Sequence, residues 1–353
     1  MSKQPLLVKE IDPEYQYYRL KKFQSLLNDV GNLDNVDKIK LESRKDIPPK
    51  LRGIIWATLL GVTKEDLSKS DFNCTIVDVP RCHQYHPLLN NPVGHEKLKK
   101  LLKLLLAYLA AQKFISKFLK NFFKNDNSQT LHDHLALFNH LISFHDPQLN
   151  SHLHAIGFLP DLYAIPWFLT LFTHAIPLEK IYHIWDAFLV SPKSLPLFFG
   201  LSIIEEFRDL LLRSDFNECI SFFSEFPEID IYKCLQKAIS LCRITPPSAV
   251  KIREEDVSFP IDLSTRKAEI SPRITIDDLL FMKESCYIID IRPKIEYFIS
   301  CTSKRFFDSH ISGSFHFSVD SGFDLANEIR KTGLRYVAIV CNDKLRAAQV
   351  NKI

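Results

Sequence analysis

The stretch IPWFLTLFTHAIPLEKIYHIWDAFL, residues 165–189, repeats aromatic and aliphatic side chains at helical spacing and is interrupted by Pro177. A second stretch, PKLRGIIWATLLG, residues 49–61, has the same texture and opens on a proline. Proline is tolerated at a helix start because the first amide hydrogens of a helix have no intrahelical acceptor. All 3 tryptophans of the chain lie in these two stretches, which we therefore interpret as parts of one helical region.

The helical pattern extends outward from these stretches, from about residue 49 to about residue 242, and prolines interrupt it repeatedly. An apolar stripe at helical spacing predicts each helix, and packing such stripes against one another gives an all-α domain. The predicted helices after the first stretch cover residues 131–143, 159–174, 178–189, 195–213 and 229–241. A further polar and aromatic helix is predicted over residues 11–32.

The texture changes after Cys242. Residues 245–272 contain four prolines among scattered charges and predict a linker. Two short β-branched runs follow, CYIIDIR at 286–292 and YVAIVC at 336–341, with helical patterns at 276–283 and 323–331. Strands that alternate with helices indicate a small parallel α/β domain. The predicted organisation is an N-terminal helical segment (1–40), an all-α domain (41–244), the linker (245–272) and the α/β domain (273–353).

Composition limits the function classes. The chain has 353 residues and a formal net charge of +3, which gives no general argument for binding to nucleic acid. The 8 cysteines form no CxxC pair, and the N-terminus has no apolar signal region, so we expect a reducing, cytoplasmic location. No apolar run approaches the ~20 residues that a membrane-spanning helix needs. Contact with endosomal or other endomembranes would be peripheral.

The helical region resembles the TBC domain, the all-α module that stimulates GTP hydrolysis by Rab GTPases. The resemblance rests on LRGIIW, IPWFLTLF and IYHIWD, and on TIVDVPR at residues 75–81, which is similar to the IxxDxxR motif of that family. It implies that Arg81 is an arginine finger and that Asp78 orients it. It also implies a Rab-family partner that carries Mg-GTP, with no cofactor held by this chain. An arginine suits this role because its planar cation neutralises charge on the transferring phosphate.

The chain departs from the TBC pattern at two points. Thr75 replaces the motif's isoleucine, and no YxQ motif follows Arg81 to supply the glutamine that orients water. Gln112 of YLAAQ lies in a continuous helical pattern with the wrong spacing, so we expect packing rather than catalysis. A helix and loop of the family are missing between Lys103 and Leu106. Two functions stay open: a GTPase activator that uses Arg81 alone, and a non-catalytic Rab-binding scaffold.

The α/β region resembles rhodanese. The residues that carry the likeness are DIR at 290–292, EYF at 296–298, DSHISGS at 308–314 and CNDKLR at 341–346. The resemblance implies that Cys341 is the sulfur-carrying nucleophile and that Arg346 is the arginine of its loop, which makes sulfur transfer a further alternative. Lys344 stands where the family has glycine, and the closing strand and helix of the family are absent. We therefore expect an incomplete and degenerate module.

The order of these regions resembles the C-terminal part of a family of kinase-like TBC proteins, although the chain has no glycine-rich loop, HRD or DFG motif. This resemblance implies endomembrane trafficking and further subunits of a larger complex as partners.

Two polar patterns carry alternatives of their own. Lysines recur at 113, 117, 120 and 124 opposite a phenylalanine stripe. They would face an anionic membrane or a calmodulin-like partner, or form the solvated side of a core helix. Histidines at 132, 134, 140, 145, 152 and 154 lack the spacing of metal ligands, so no metal site is expected.

Overall fold

The structure is a computed structural model. It describes residues 6–27, 33–62, 105–120, 122, 128–250, 269, 271–292, 313–317, 325–334 and 336–341. These residues belong to two compact units that alternate along the chain. The first unit comprises residues 1–127, 166–206 and 226–240, and the second comprises residues 128–165, 207–225 and 241–353.

Helices dominate the described residues. In chain order they are α1 (Leu6–Ile11), α2 (Pro13–Leu27), α3 (Leu33–Ser43), α4 (Arg52–Leu59), α5 (Leu105–Phe118), α6 (Ser128–His145), α7 (Pro147–Ala155), α8 (Ile165–Leu169), α9 (Leu178–Leu189), α10 (Leu195–Glu206), α11 (Arg208–Leu211), α12 (Phe216–Ser224), α13 (Ile231–Ile244), α14 (Ile276–Phe281) and α15 (Leu325–Thr332). Short 3₁₀ turns cover Pro49–Leu51, Pro160–Leu162, Pro247–Val250 and Lys283–Ser285. The all-α prediction for this region is confirmed.

The core of the first unit is aromatic. Phe172, Phe188 and Phe199 are fully buried and meet pairwise, with ring centroids 4.9 to 6.3 Å apart. Edge-to-face contact at this separation adds stability beyond the burial of apolar area. Every residue of α10 from Leu195 to Ile204 is buried, which explains why this segment is apolar on all sides and not amphipathic.

The predicted helix over residues 159–174 is wrong. The chain makes a 3₁₀ turn at 160–162, the five-residue α8, and then a turn in which Leu171 (φ 47°) and Phe172 (φ 69°) are left-handed. Left-handed backbone is costly for bulky residues, so surrounding contacts must hold it. The Trp185 indole donates to the Leu171 carbonyl at 3.0 Å, and both left-handed side chains are buried. Tertiary packing therefore overrides the local helical preference here.

The α/β part of the second unit contains a parallel sheet. Its strands are β1 (Cys286–Asp290), β2 (Phe315–His316) and β3 (Tyr336–Val340), in the order β2-β1-β3. Asp290 is paired with Val340 in one ladder and with His316 in the other, both parallel. The central β1 is the most buried strand, as a hydrophobic run flanked on both sides requires. The predicted small parallel α/β region is thus present, whereas its rhodanese identity stays a prediction.

A residue near the start of the predicted linker contacts residues just after its end, all within the second unit. The backbone amide of Ser248 donates to the Asp278 carboxylate at 2.8 Å, and the amide of Thr275 donates to the Ser248 hydroxyl at 2.9 Å. Thr275 also N-caps α14 by accepting from the Asp278 amide. Residues 248 and 275 are therefore in direct contact, and the linker stays a prediction.

Candidate functional site

A buried ionic cluster joins α1, α4 and α9 in the first unit. The Arg52 Nε atom donates to both carboxylate oxygens of Asp186, at 3.2 and 3.0 Å. Its Nη2 atom reaches Glu10 at 2.8 Å. His183 Nε2 lies 3.5 Å from the other Glu10 oxygen. One guanidinium thus connects three helices, because its planar fork can serve two carboxylates at once.

Burial shapes the titration of this cluster. Desolvation raises the pKa of Asp186 to about 6, although Arg52 and the Trp56 indole oppose the rise. Burial lowers the pKa of Arg52, but Asp186 and Glu10 raise it by more, so the guanidinium stays charged. Burial also lowers the pKa of His183, with Glu10 opposing. Breaking a buried ion pair of this kind typically costs about 3–5 kcal/mol, so the cluster acts as a clamp.

Aromatic side chains pack beside the clamp. The Trp56 indole donates to Asp186 at 2.6 Å, and the Trp56 ring lies 5.9 Å from Trp185 and 6.3 Å from Tyr182. Phe114 of α5 adds to this layer, with its ring centroid 4.6 Å from that of Trp185. Helices α4, α5 and α9 are therefore fixed against one another by aromatic contact as well as by charge.

A second buried cluster fastens the N-terminal helices. Arg19 of α2 is only 2% exposed and pairs with Glu42 at 2.7 Å and with Asp46. Its Nη2 atom also donates to the Asp46 carbonyl at 2.9 Å. Arg52 binds the next carbonyl, that of Ile47, at 3.3 Å. Two arginines thus hold the chain at residues 46–47 just before α4.

Helix α4 ends in a glycine turn. Gly61 is left-handed (φ 69°), its amide donates to Thr58, and the Val62 amide donates to Ala57, both at 3.0 Å. This is a Schellman arrangement, in which a glycine at the first position beyond the helix satisfies the last carbonyls. Val62 is the last described residue before the segment that carries the predicted finger motif.

Two lysines of α5 bind the ends of neighbouring helices. The Lys113 ammonium donates to the Gly61 carbonyl, beyond the C-terminus of α4. The Lys117 ammonium donates to the Leu189 carbonyl, at the C-terminus of α9, at 3.0 Å. Burial lowers the pKa of Lys117, and Lys40 and Lys193 lower it further. Of the predicted basic stripe, Lys120 is exposed and Lys124 lies outside the described residues. The core-helix alternative is favoured for Lys113 and Lys117.

The predicted site residues fall in three places. Asp78, Arg81 and Arg346 lie outside the described residues. Gln112 is exposed on α5, within one uninterrupted helix. Cys341 directly follows β3 and is partly buried against an apolar cluster. The members of that cluster are Ile289, Ile291, Phe317 and Leu325.

The C-terminal end of β1 is fixed by a buried acidic residue, Asp290. Asp290 is fully buried, and both of its carboxylate oxygens accept from Arg292 Nε, the nearer at 3.0 Å. The Arg292 carbonyl contacts His316 Nε2 at 2.9 Å. The DIR string of the sequence thus serves to fix the strand end beside Cys341, which is a structural role.

The histidines have structural partners. His140 contacts the Glu269 carbonyl at 2.8 Å, His145 the Thr245 hydroxyl at 2.8 Å and His152 the Ser214 carbonyl at 3.1 Å. Within the described ranges, no group of histidine, cysteine and carboxylate residues could hold a metal ion.

Comparison with known proteins identifies the helical region. Residues 106–212 match the sequence model of the Rab-GTPase-TBC domain. Residues 106–212 therefore belong to a TBC domain. The TBC assignment also fits the fold: the crystal structure of the Ypt/Rab-GAP domain of Gyp1p superposes with a TM-score of 0.54 at 16% identity. That superposition covers 65% of this chain and 99% of the Gyp1p domain.

The relatives that match this chain are longer than it is. TBC domain-containing protein kinase-like protein from Homo sapiens is 36% identical over 419 residues, which cover 96% of this chain and 46% of the human protein. The Dictyostelium discoideum protein of that name is 31% identical over 335 residues, which cover 80% and 32%. The chain thus spans about half the length of its human relative. The alignment is 419 residues long, whereas this chain has 353 residues. Within the aligned region, the human protein therefore has residues that have no counterpart in this chain.

In the part of the chain that the structure describes, no helix is long and apolar enough to cross a bilayer. Sequence reasoning missed the pairing of Arg52 with Asp186, which lie 134 residues apart. The available signal was an acidic residue at position 186 inside the otherwise apolar stretch that ends α9.

Proposed function

We propose that this chain is a Rab GTPase-activating protein that binds a GTP-loaded Rab and presents Arg81 to the phosphates, with Asp78 orienting the guanidinium. The observation that supports this proposal is the match of residues 106–212 to the Rab-GTPase-TBC domain. The shared fold with the Ypt/Rab-GAP domain of Gyp1p is consistent with it.

In this proposal the partner brings Mg-GTP, and the chain contributes a cation. Arg81 would neutralise charge that develops on the transferring phosphate, an effect worth roughly 10³ to 10⁵ in rate for arginine fingers. The GTPase's own glutamine would orient the attacking water. The clamp of Arg52, Asp186 and Trp56 holds α4, and the segment that carries Arg81 continues from the end of α4.

The second candidate is a non-catalytic Rab-binding scaffold in a larger trafficking complex, held peripherally at endomembranes. The position of Gln112 favours this candidate. Gln112 is exposed in the middle of α5 and is not the glutamine of a YxQ motif. A protein without a water-orienting glutamine would bind the GTPase and leave hydrolysis slow.

Single-turnover GTP hydrolysis by a panel of Rab GTPases separates the two candidates. Wild-type protein, Arg81→Ala and the exposed-arginine control Arg44→Ala are compared, and binding to each GTP-loaded Rab is measured in parallel. An activator accelerates hydrolysis, loses that effect in Arg81→Ala and keeps it in Arg44→Ala. Binding without acceleration in the wild type would replace the activator with the scaffold, and absence of binding to the whole panel would contradict both.

A further inference from the structure

Helix α12, in the second unit, is apolar on its outer face as well as on its inner face. The inner face carries Cys219, which is fully buried, and Phe223, whose ring stacks on Tyr163 with centroids 5.2 Å apart. The outer face carries Phe216 and Ile220, which are 39% and 37% exposed. These two residues are four positions apart, so they lie on one face of the helix and form an exposed apolar stripe, the α12 stripe. A surface helix normally turns polar residues outward, so this stripe is available for a further apolar contact.

A buried aromatic cluster supports the α12 stripe from beneath. Phe158 is fully buried and stacks on Tyr163 at 4.9 Å and on Phe223 at 5.9 Å. The Phe158 ring also meets the ring of Phe216 edge-on, at 6.5 Å. Leu162, the neighbour of Tyr163 in the chain, is 49% exposed and adds apolar area at the edge of this cluster. Because the support is already packed, a partner that binds the stripe would lose little free energy in ordering it.

Carboxylates flank the α12 stripe at both ends. Asp215 and Glu218 are exposed and form the capping box of α12, each accepting from the other's backbone amide, at 2.9 and 2.8 Å. Glu225 is exposed directly after the helix. The sequence from Arg213 to Glu225 has three acidic residues and one basic residue, whereas the whole chain has a formal net charge of +3. This apolar surface therefore lies in a locally acidic setting.

The charge and the size of the surface select among possible occupants. A second copy of the chain would bring the same carboxylates together across a two-fold interface, which is unfavourable. A stable dimer also buries about 800 Å² on each partner, far more than a few half-exposed side chains supply. The negative surface of an anionic membrane would repel the flanking carboxylates. A partner with apolar and basic side chains matches both features.

We propose that the α12 stripe docks a basic amphipathic segment of a partner protein. The apolar side chains of that segment contact Phe216 and Ile220, and its lysine or arginine side chains pair with the flanking carboxylates. An amphipathic helix fits this surface because its apolar residues recur at i, i+3, i+4 and i+7. The contact is small, so binding is transient, with a dissociation constant on the order of micromolar or weaker. Docking here needs no GTP hydrolysis, so it does not rest on the proposed function.

The probe is a fluorescein-labelled synthetic peptide of leucine and lysine, with leucines at i, i+3, i+4 and i+7. Its control is the same peptide with glutamate in place of every lysine. Fluorescence anisotropy during titration with the full chain should show binding of the lysine peptide alone, weakening as salt is added. Equal binding of the two peptides, or no binding of the lysine peptide, would overturn the proposal.

Substitutions locate the binding surface, and each has a matched control outside α12. Ile220→Ser should weaken binding of the lysine peptide about fivefold, whereas Leu41→Ser, at an exposed position of α3, should leave it unchanged. Glu225→Lys should weaken binding about threefold at low salt, whereas Glu284→Lys changes the net charge equally at another exposed glutamate and should have no such effect. Urea unfolding confirms that all four variants are folded. If Ile220→Ser bound the peptide as tightly as Leu41→Ser does, the α12 stripe would not be the docking surface.

The other occupants have their own readouts. Sedimentation measures self-association of the wild type and of Ile220→Ser, and flotation with vesicles of equal parts phosphatidylcholine and phosphatidylserine measures membrane binding. Both results should be the same for the two proteins. A dimer that Ile220→Ser dissolves would assign the stripe to a second copy of the chain, and vesicle binding that Ile220→Ser abolishes would assign it to a bilayer; either result contradicts the proposal.

Discussion

At the scale of single residues, the two glycines of residues 49–61 should respond in opposite directions to replacement by alanine. Gly61 is left-handed, so Gly61→Ala should destabilise the first unit by about 1 kcal/mol, the usual cost of a left-handed side-chain residue. A Cβ on Gly53, inside α4, would meet nothing within 4 Å, so Gly53→Ala should stabilise by about 0.5 kcal/mol through reduced chain entropy. Urea unfolding of both variants checks the signs. Equal effects would show that the Gly61 turn is not formed.

Asp186 gives a second residue-level prediction. Its pKa is raised to about 6 by burial, above the ordinary 3.8, so the folded chain binds a proton more tightly than the unfolded chain. Its contribution to stability is therefore largest below pH 4 and is lost as pH rises through 6, by about 3 kcal/mol in total. Asp186→Asn removes this slope.

The measurement is the free energy of unfolding at pH 4.5, 6 and 7.5. Relative to the wild type, Asp186→Asn should gain stability with rising pH, while the exposed Asp209→Asn should follow the wild type. Parallel curves for all three proteins would mean that Asp186 stays ionised throughout.

At the scale of elements, substitutions in α5 test how much its aromatic contacts contribute to the free energy of unfolding. Phe114 is 8% exposed and packs on Trp185 and Phe118, whereas the next residue, Ile115, is 44% exposed. Phe114→Ala should cost about 3 kcal/mol, and Ile115→Ala less than about 1 kcal/mol. Tryptophan fluorescence during unfolding measures both, because Phe114 lies on an indole. A similar cost for the two variants would contradict the orientation of α5.

The elements also show what sequence pattern could supply. The amphipathic stripe after Pro177 predicts a helix over 178–189, and α9 has those bounds, because local periodicity and packing agree there. The stripe over 159–174 predicts a helix that does not form, because Leu171 and Phe172 take left-handed backbone under the indole of Trp185. The sequence pattern alone could not predict the clamp, because Arg52 and Asp186 each look like surface charges until the fold buries them together.

At the scale of the whole molecule, the two units should respond to acid through different groups. Burial lowers the pKa of His134, on α6 in the second unit, to about 4. A histidine with a lowered folded-state pKa favours folding above its unfolded value of about 6.5, and that contribution is lost as pH falls toward 4, by roughly 3 kcal/mol in total. In the first unit Asp186 has the opposite sign over nearly the same range.

Acidification from pH 7 to pH 5 should therefore open α6 while the Asp186 contribution to the first unit grows. Hydrogen exchange, corrected for its intrinsic pH dependence, resolves the helices separately and is the measurement of choice. His134→Gln removes the titrating group and should keep α6 equally protected at both pH values, whereas the exposed His174→Gln should behave as the wild type does. If α6 and α9 lost protection together in all three proteins, acid sensitivity would be a global property of the chain, and the burial of His134 could not be its cause.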